Sequence, residues 1–148
     1  MTQSQYQYTF ESILKVSSLW SGVDASTNEP TLRSDLERVD DIELKNSVLK
    51  YLRGGSVVLR SPGLKADYLE PGRTHRVSIA FYTDGEWIWS ADEAFYLQAH
   101  NVLPDQAFID HMRASGFVAA VPSPEVIREA KQILGWNDAR IHATKDAS

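Results

Sequence analysis

The feature that most constrains this chain is a hairpin whose two faces are both apolar. Residues 76–82 and 86–89 flank Thr83-Asp84-Gly85. Asp-Gly between apolar runs is the strongest short-range signal for a tight β-turn. A two-residue turn at Asp84–Gly85 opposes Thr83 to Glu86, Tyr82 to Trp87, Phe81 to Ile88 and Ala80 to Trp89. Side chains alternate along a strand. Ala80, Tyr82, Trp87 and Trp89 therefore share one face, and Val77, Ile79, Phe81 and Ile88 share the other. A small antiparallel sheet normally wets one face, and that face is polar. Here neither is. Either helices cover both faces, or one aromatic face is open to a partner.

The rest of the chain supplies the helices. Thr9 as an N-cap, with Phe10, Ile13, Leu14 and Trp20 near helical spacing, predicts a helix over 10–19. The alternation Tyr6, Tyr8, Phe10 competes as a strand, and the polar stretch 21–33 reads as a loop. Ser34 and Glu37 have capping-box spacing, and Leu44, Val48, Tyr51 and Leu52 line one helical face. A helix over 35–53 is expected, with Asp40–Asp41 as a break point and Gly54–Gly55 as its stop. Residues 56–60 read as a strand, and 61–75, with Pro62–Gly63 and Pro71–Gly72, as an irregular connection. Ser90 and Glu93 again have capping-box spacing and open a helix to His100. Pro104 starts a further helix with Phe108, Ile109 and Met112 on its face and Gly116 at its end. Ser123 and Pro124 start the last, which carries Val126, Ile127, Ala130, Ile133 and Leu134 and ends at Gly135. The expected fold is α+β, a small antiparallel sheet centred on the hairpin at about 76–89 and packed by helices from both chain ends. At 148 residues the chain is expected to form one domain, with an ordered core over 9–136 and a frayed tail over 137–148.

Composition removes several chemistries. There is no cysteine, so disulfides, thiolate catalysis, iron–sulfur clusters and Cys-based zinc sites are excluded. The net charge of −5 argues against non-specific nucleic-acid binding. That total hides blocks of opposite sign. Residues 24–43 are net acidic, 44–76 net basic, and 77–112 hold six acids (Asp84, Glu86, Asp92, Glu93, Asp105, Asp110) with no Lys or Arg. The blocks either pair with one another on folding or present an acidic patch to a basic partner. No apolar stretch approaches a membrane span, and Met1 to Phe10 lack the basic-then-apolar pattern of a signal peptide. A cytoplasmic protein is expected.

No catalytic motif stands out. His75, His100, His111 and His142 fall in no metal-binding spacing. There is no G-x-S-x-G elbow and no phosphate-cradling glycine loop. Asp92–Glu93 in a first helical turn is explained by capping and the helix dipole. No enzymatic activity, cofactor or metal is expected. The one catalytic alternative would use Asp84, Asp92 or His111.

The run Thr83-Asp84-Gly85-Glu86-Trp87-Ile88-Trp89, continued by Phe95-Tyr96, Leu103-Pro104, Phe108-Ile109 and Gly116-Phe117, resembles a group of small, mostly uncharacterised bacterial proteins. Their mark is a D-G-x-W-x-W hairpin followed by helices. The likeness covers residues 44–135 and brings no site residues with it. More loosely, a short acidic cysteine-free chain looks like the immunity proteins of bacterial polymorphic or contact-dependent toxin systems. That resemblance implies a non-enzymatic domain that neutralises a cognate, basic toxin by direct binding, without nucleic acid or membrane. Asp84, Glu86, Trp87, Trp89, Asp92 and Glu93 are the expected partner-binding residues, since Trp anchors interfaces and carboxylates suit Arg- or Lys-rich partners. The alternative is a small-ligand or regulatory domain with an aromatic pocket at the hairpin.

Overall fold

A computed structural model describes residues 14–135. These form strands β1 (Lys15–Val16), β2 (Trp20–Val23) and β3 (Pro30–Leu32), then helix α1 (Ile42–Arg53). Strands β4 (Ser56–Ala66), β5 (His75–Thr83) and β6 (Trp87–Ser90) follow, and then helices α2 (Ala91–His100), α3 (Gln106–Ala114) and α4 (Pro124–Ile133). The fold is α+β. One four-stranded sheet has the order β1-β6-β5-β4, and β2 and β3 form a separate antiparallel ribbon. Strands β4, β5 and β6 are antiparallel, while β1 adds to β6 in parallel, so the sheet is mixed.

Helices cover both faces of the hairpin. On one side Trp87 and Trp89 pack with Val48, Leu49, Tyr51 and Leu52 of α1, Leu97 of α2 and Phe108, Ile109 and Met112 of α3. On the other, Ile88 and Val58 pack with Ala130 of α4, flanked by Leu14, Phe81 and Leu134. A third cluster joins Leu19, Tyr96 and Val102 beneath the β2–β3 ribbon, with Trp20, Leu32 and Leu36 against it. A buried Trp removes ~200 Å² from water, worth roughly 5 kcal/mol at about 25 cal/mol/Å². The two hairpin tryptophans are thus a large share of this core.

The hairpin register differs from expectation by two residues. Tyr82 pairs with Trp89 and Thr83 with Ile88, which leaves Asp84 to Trp87 to reverse the chain. Side chains build this wider turn. Asp84 Oδ1 accepts the N–H groups of Glu86 and Trp87 at 2.8 Å each, and Thr83 Oγ1 donates to the Trp87 carbonyl at 2.8 Å. A slip of two keeps every side chain on its face, because the side-chain period is also two. The expected face assignments therefore survive the register error.

Other boundaries move for identifiable reasons. The helix expected over 10–19 is not formed in its described part. Lys15 and Ser17 donate backbone N–H bonds to Glu86 and Ile88 as the parallel edge of the sheet. Residues 10–13 and the expected cap Thr9 lie outside the described residues. The stretch 21–33 carries β2 and β3. The helix expected from 35 begins at Ile42, capped by Asp41, whose carboxylate accepts from Glu43 and Leu44 N–H. Residues 37–39 instead pair by backbone with 101–103: Leu103 N–H donates to Glu37, Val39 N–H to Asn101, and Arg38 bridges Val102. A helix would have consumed those backbone groups internally. Strand β4 runs to Ala66 rather than ending at 60, because bulges absorb Pro62–Gly63 on an edge strand. At α2, Ser90 is the N-cap, but its side chain makes no capping bond. The last helix matches expectation, with Ser123 as cap and Pro124 in the first turn. The expected tail, 137–148, lies outside the described residues.

Candidate functional site

The structure puts five of the six sequence-predicted site residues inside. Trp87, Trp89, Asp84, Asp92 and Glu93 are buried, and only Glu86 is exposed. Both tryptophans are core. Trp89 donates its indole N–H to the Leu52 carbonyl at 3.1 Å, and Trp87 stacks on Phe108 with ring centroids 4.9 Å apart.

Asp84 is a clasp. While its Oδ1 holds the turn, its Oδ2 accepts from the Tyr51 hydroxyl of α1 and lies 2.8 Å from His111 Nε2 of α3. Burial, reinforced by the Asp84 carboxylate, holds the Tyr51 phenol well above its ordinary range. A buried carboxylate is costly unless its lone pairs are filled, and here protein donors fill them. Asp84 and His111, two members of the catalytic alternative, do meet. Asp92, the third, instead contacts Trp20 and Lys65 on another side of the fold. Glu86 sits at the rim, its carboxylate 3.8 Å from His111 Nε2. A second pair joins the buried Asp67 to the partly exposed His100, whose Nε2 lies 2.7 Å from Oδ2.

Asp92 and Glu93 open α2 and face different surroundings. Glu93 Oε1 accepts from the Ser17 hydroxyl at 2.8 Å, and its Oε2 has no partner among the described residues. Burial pushes the Glu93 carboxyl up to about 8, against the Ser17 bond and helped by the neighbouring Asp92 charge. Burial thus favours the protonated, neutral form of the Glu93 carboxyl. Asp92 Oδ2 accepts from the Trp20 indole N–H at 3.1 Å. Lys65 Nζ lies 2.7 Å from Oδ1, near enough for an ion pair but without the alignment of a hydrogen bond. The expectation of capping at Asp92–Glu93 is replaced by this pair of tertiary contacts. Trp20, Lys65 and Ser17 carry no local sequence signal for it, since their partners are far along the chain.

Asp92 also borders a cavity of about 340 Å³ between the sheet, the β2–β3 ribbon and α2, whose walls include Trp20, Tyr68, Phe81 and Tyr96. On the surface, the segment 35–43 lies against the α2–α3 connection. Arg33 bridges Asp35 at 2.7 Å and Asp105 at 2.8 Å. Glu37, Asp40, Asp41 and Glu43 are exposed, as is Asp110 on α3. Among the described residues, no group of His, Asp and Glu is arranged to hold a metal ion, and no helix is long and apolar enough to cross a membrane.

No family model, curated protein or solved structure matches this chain.

Proposed function

We propose that this chain is a protein-binding domain of the immunity type, which neutralises a basic toxin domain by covering it. The supporting observation is how the two acidic blocks are arranged. Backbone pairing of 37–39 with 101–103 sets the acidic segment 35–43 beside the lysine- and arginine-free segment 77–112. Glu37, Asp40 and Glu43 on that segment are exposed, and exposed carboxylates suit attraction to a basic partner. In this reading the recognition residues are the exposed acids Glu37, Asp40, Glu43, Glu86 and Asp110. Trp87 and Trp89 support the surface from within, and Asp84 ties the Glu86 turn to α1 and α3.

Co-expression with the C-terminal domain encoded by the neighbouring upstream gene tests the reading. The expected result is rescue of growth and a copurifying complex whose affinity falls by about tenfold or more from low to high ionic strength. If growth is not rescued and no complex forms, the proposal is lost.

A further inference from the structure

We infer that Glu93 is a proton-operated latch, whose ionisation frees segment 17–33, with its β2–β3 ribbon, from a core that stays folded. This device is separate from the acidic surface and does not depend on the protein-binding reading.

The latch sits where the first turn of α2 meets the stretch between β1 and β2. Glu93 is 1% exposed, and the buried Ser17 fills its Oε1 at 2.8 Å. Its Oε2 is buried with no partner among the described residues. A neutral carboxyl tolerates that place, but a carboxylate needs more donors than one hydroxyl. The charges around it add to the strain on an anion. Asp92 on the same helix and Asp105 ahead of α3 both disfavour the ionised form. Arg33, which follows β3, acts in the other direction, but its guanidinium already bridges Asp35 and Asp105. The Lys65 ammonium is held at Asp92 Oδ1, and His100 and His111 bond Asp67 and Asp84. Hydrating an ionised Glu93 therefore means displacing Ser17.

The ribbon can leave without the rest. It forms a two-stranded sheet of its own, and the large cluster around Trp87, Trp89, α1 and α3 takes no residue from 14–36. Its apolar contacts lie in the smaller cluster, where Leu19, Trp20 and Leu32 meet Tyr96 and Val102. Partial openings of this kind cost less than global unfolding. The sign follows from linkage. The closed latch keeps its proton up to about pH 8, whereas a hydrated Glu93 releases it near its ordinary 4.5. Opening therefore grows by about tenfold per pH unit between those values and levels off above them.

Native-state hydrogen exchange on the full chain, corrected for intrinsic rates, tests this from about pH 5 to 9. The reporters are the Ser17 N–H, bonded to the Ile88 carbonyl, and the Arg33 N–H, bonded to Leu19. An isolated two-stranded ribbon is marginal in water, so release exposes both. In wild type their protection should fall by about tenfold per pH unit up to pH 8. It should also depend weakly on denaturant and stay below that of the α1 amides of Leu49 and Leu52 at every pH. Glu93→Gln keeps an acceptor for Ser17 but cannot ionise, so its protection of Ser17 and Arg33 should not change with pH. If that variant does not fold, the wild-type series decides alone. The inference is overturned if Ser17 and Arg33 exchange only together with α1, if their wild-type protection is flat with pH, or if folded Glu93→Gln keeps the wild-type slope.

Discussion

Glu93 shows how far a single residue's role can depart from its sequence position. Three residues after Ser90 it has the spacing of a capping box, yet its carboxyl points into the protein and meets Ser17. Its proton affinity is raised from 4.5 to about 8. Between those values the folded chain holds a proton that the unfolded chain has released, so the stability that Glu93 contributes at low pH is lost as pH rises toward 8. Glu93→Gln should leave stability nearly unchanged near pH 5 and raise it by about 3 kcal/mol near pH 8. Denaturant melts across that range check the sign. A variant that tracks wild type at every pH would mean that Glu93 is ionised in the fold. Trp89 poses the complementary case. At 1% exposure it is core, so Trp89→Ala should cost ~3–5 kcal/mol of folding stability. A loss of binding with unchanged stability would place it at an interface instead.

At the scale of elements, the hairpin depends on its neighbours as much as on its turn. Asp84 joins β5 and β6 to α1 and α3 through one carboxylate. Gly55 links α1 to the same hairpin differently. Sequence reading takes Gly54–Gly55 as a helix stop, and α1 does end there, with Gly54 as C-cap. Gly54 caps in right-handed geometry (φ −93°), so left-handed freedom is not what it supplies. At Gly55 the requirement is space: an added Cβ would lie 2.4 Å from Trp89 Cζ2 and 3.1 Å from Tyr82 Cβ. The indole cannot retreat, since its N–H is bound to Leu52. Gly55→Ala should therefore destabilise by ~1–3 kcal/mol through overpacking, with a matching change in near-UV tryptophan circular dichroism. An unaffected melting midpoint would contradict this packing.

For the whole molecule, charge is arranged by tertiary contacts that no local pattern encodes. Some of the basic segment 44–76 is spent on acids elsewhere, Lys65 on Asp92 and Arg73 on Glu29. The acidic segment 35–43 instead lies by backbone pairing against 101–103, with Arg33 bridging Asp35 and Asp105. Replacing Glu37, Asp40 and Glu43 by Lys together should change folding stability by less than about 1 kcal/mol, because exposed charges contribute little. The same change should slow association with a basic partner by about tenfold and flatten its salt dependence, measurable by stopped flow. An unaltered association rate would place recognition elsewhere.

Much of the architecture follows from local chemistry. The Asp-Gly turn, the period-two alternation around it, the apolar faces of α1, α3 and α4, and the Ser123–Pro124 start are short-range patterns, and the α+β class follows from their order. The sequence alone also determines that both hairpin faces are apolar, since a register slip of two leaves the alternation intact. Only the tertiary structure decides that helices cover both faces and that Asp84, Asp92 and Glu93 lie inside. It alone brings Trp20 and Lys65 to Asp92 beside an aromatic cavity. The physical reason is range. Caps, turns and periodicity act over a few residues, whereas the burial of a charge and the closing of a cavity depend on partners dozens of residues away, whose approach is set by the packing of the whole core.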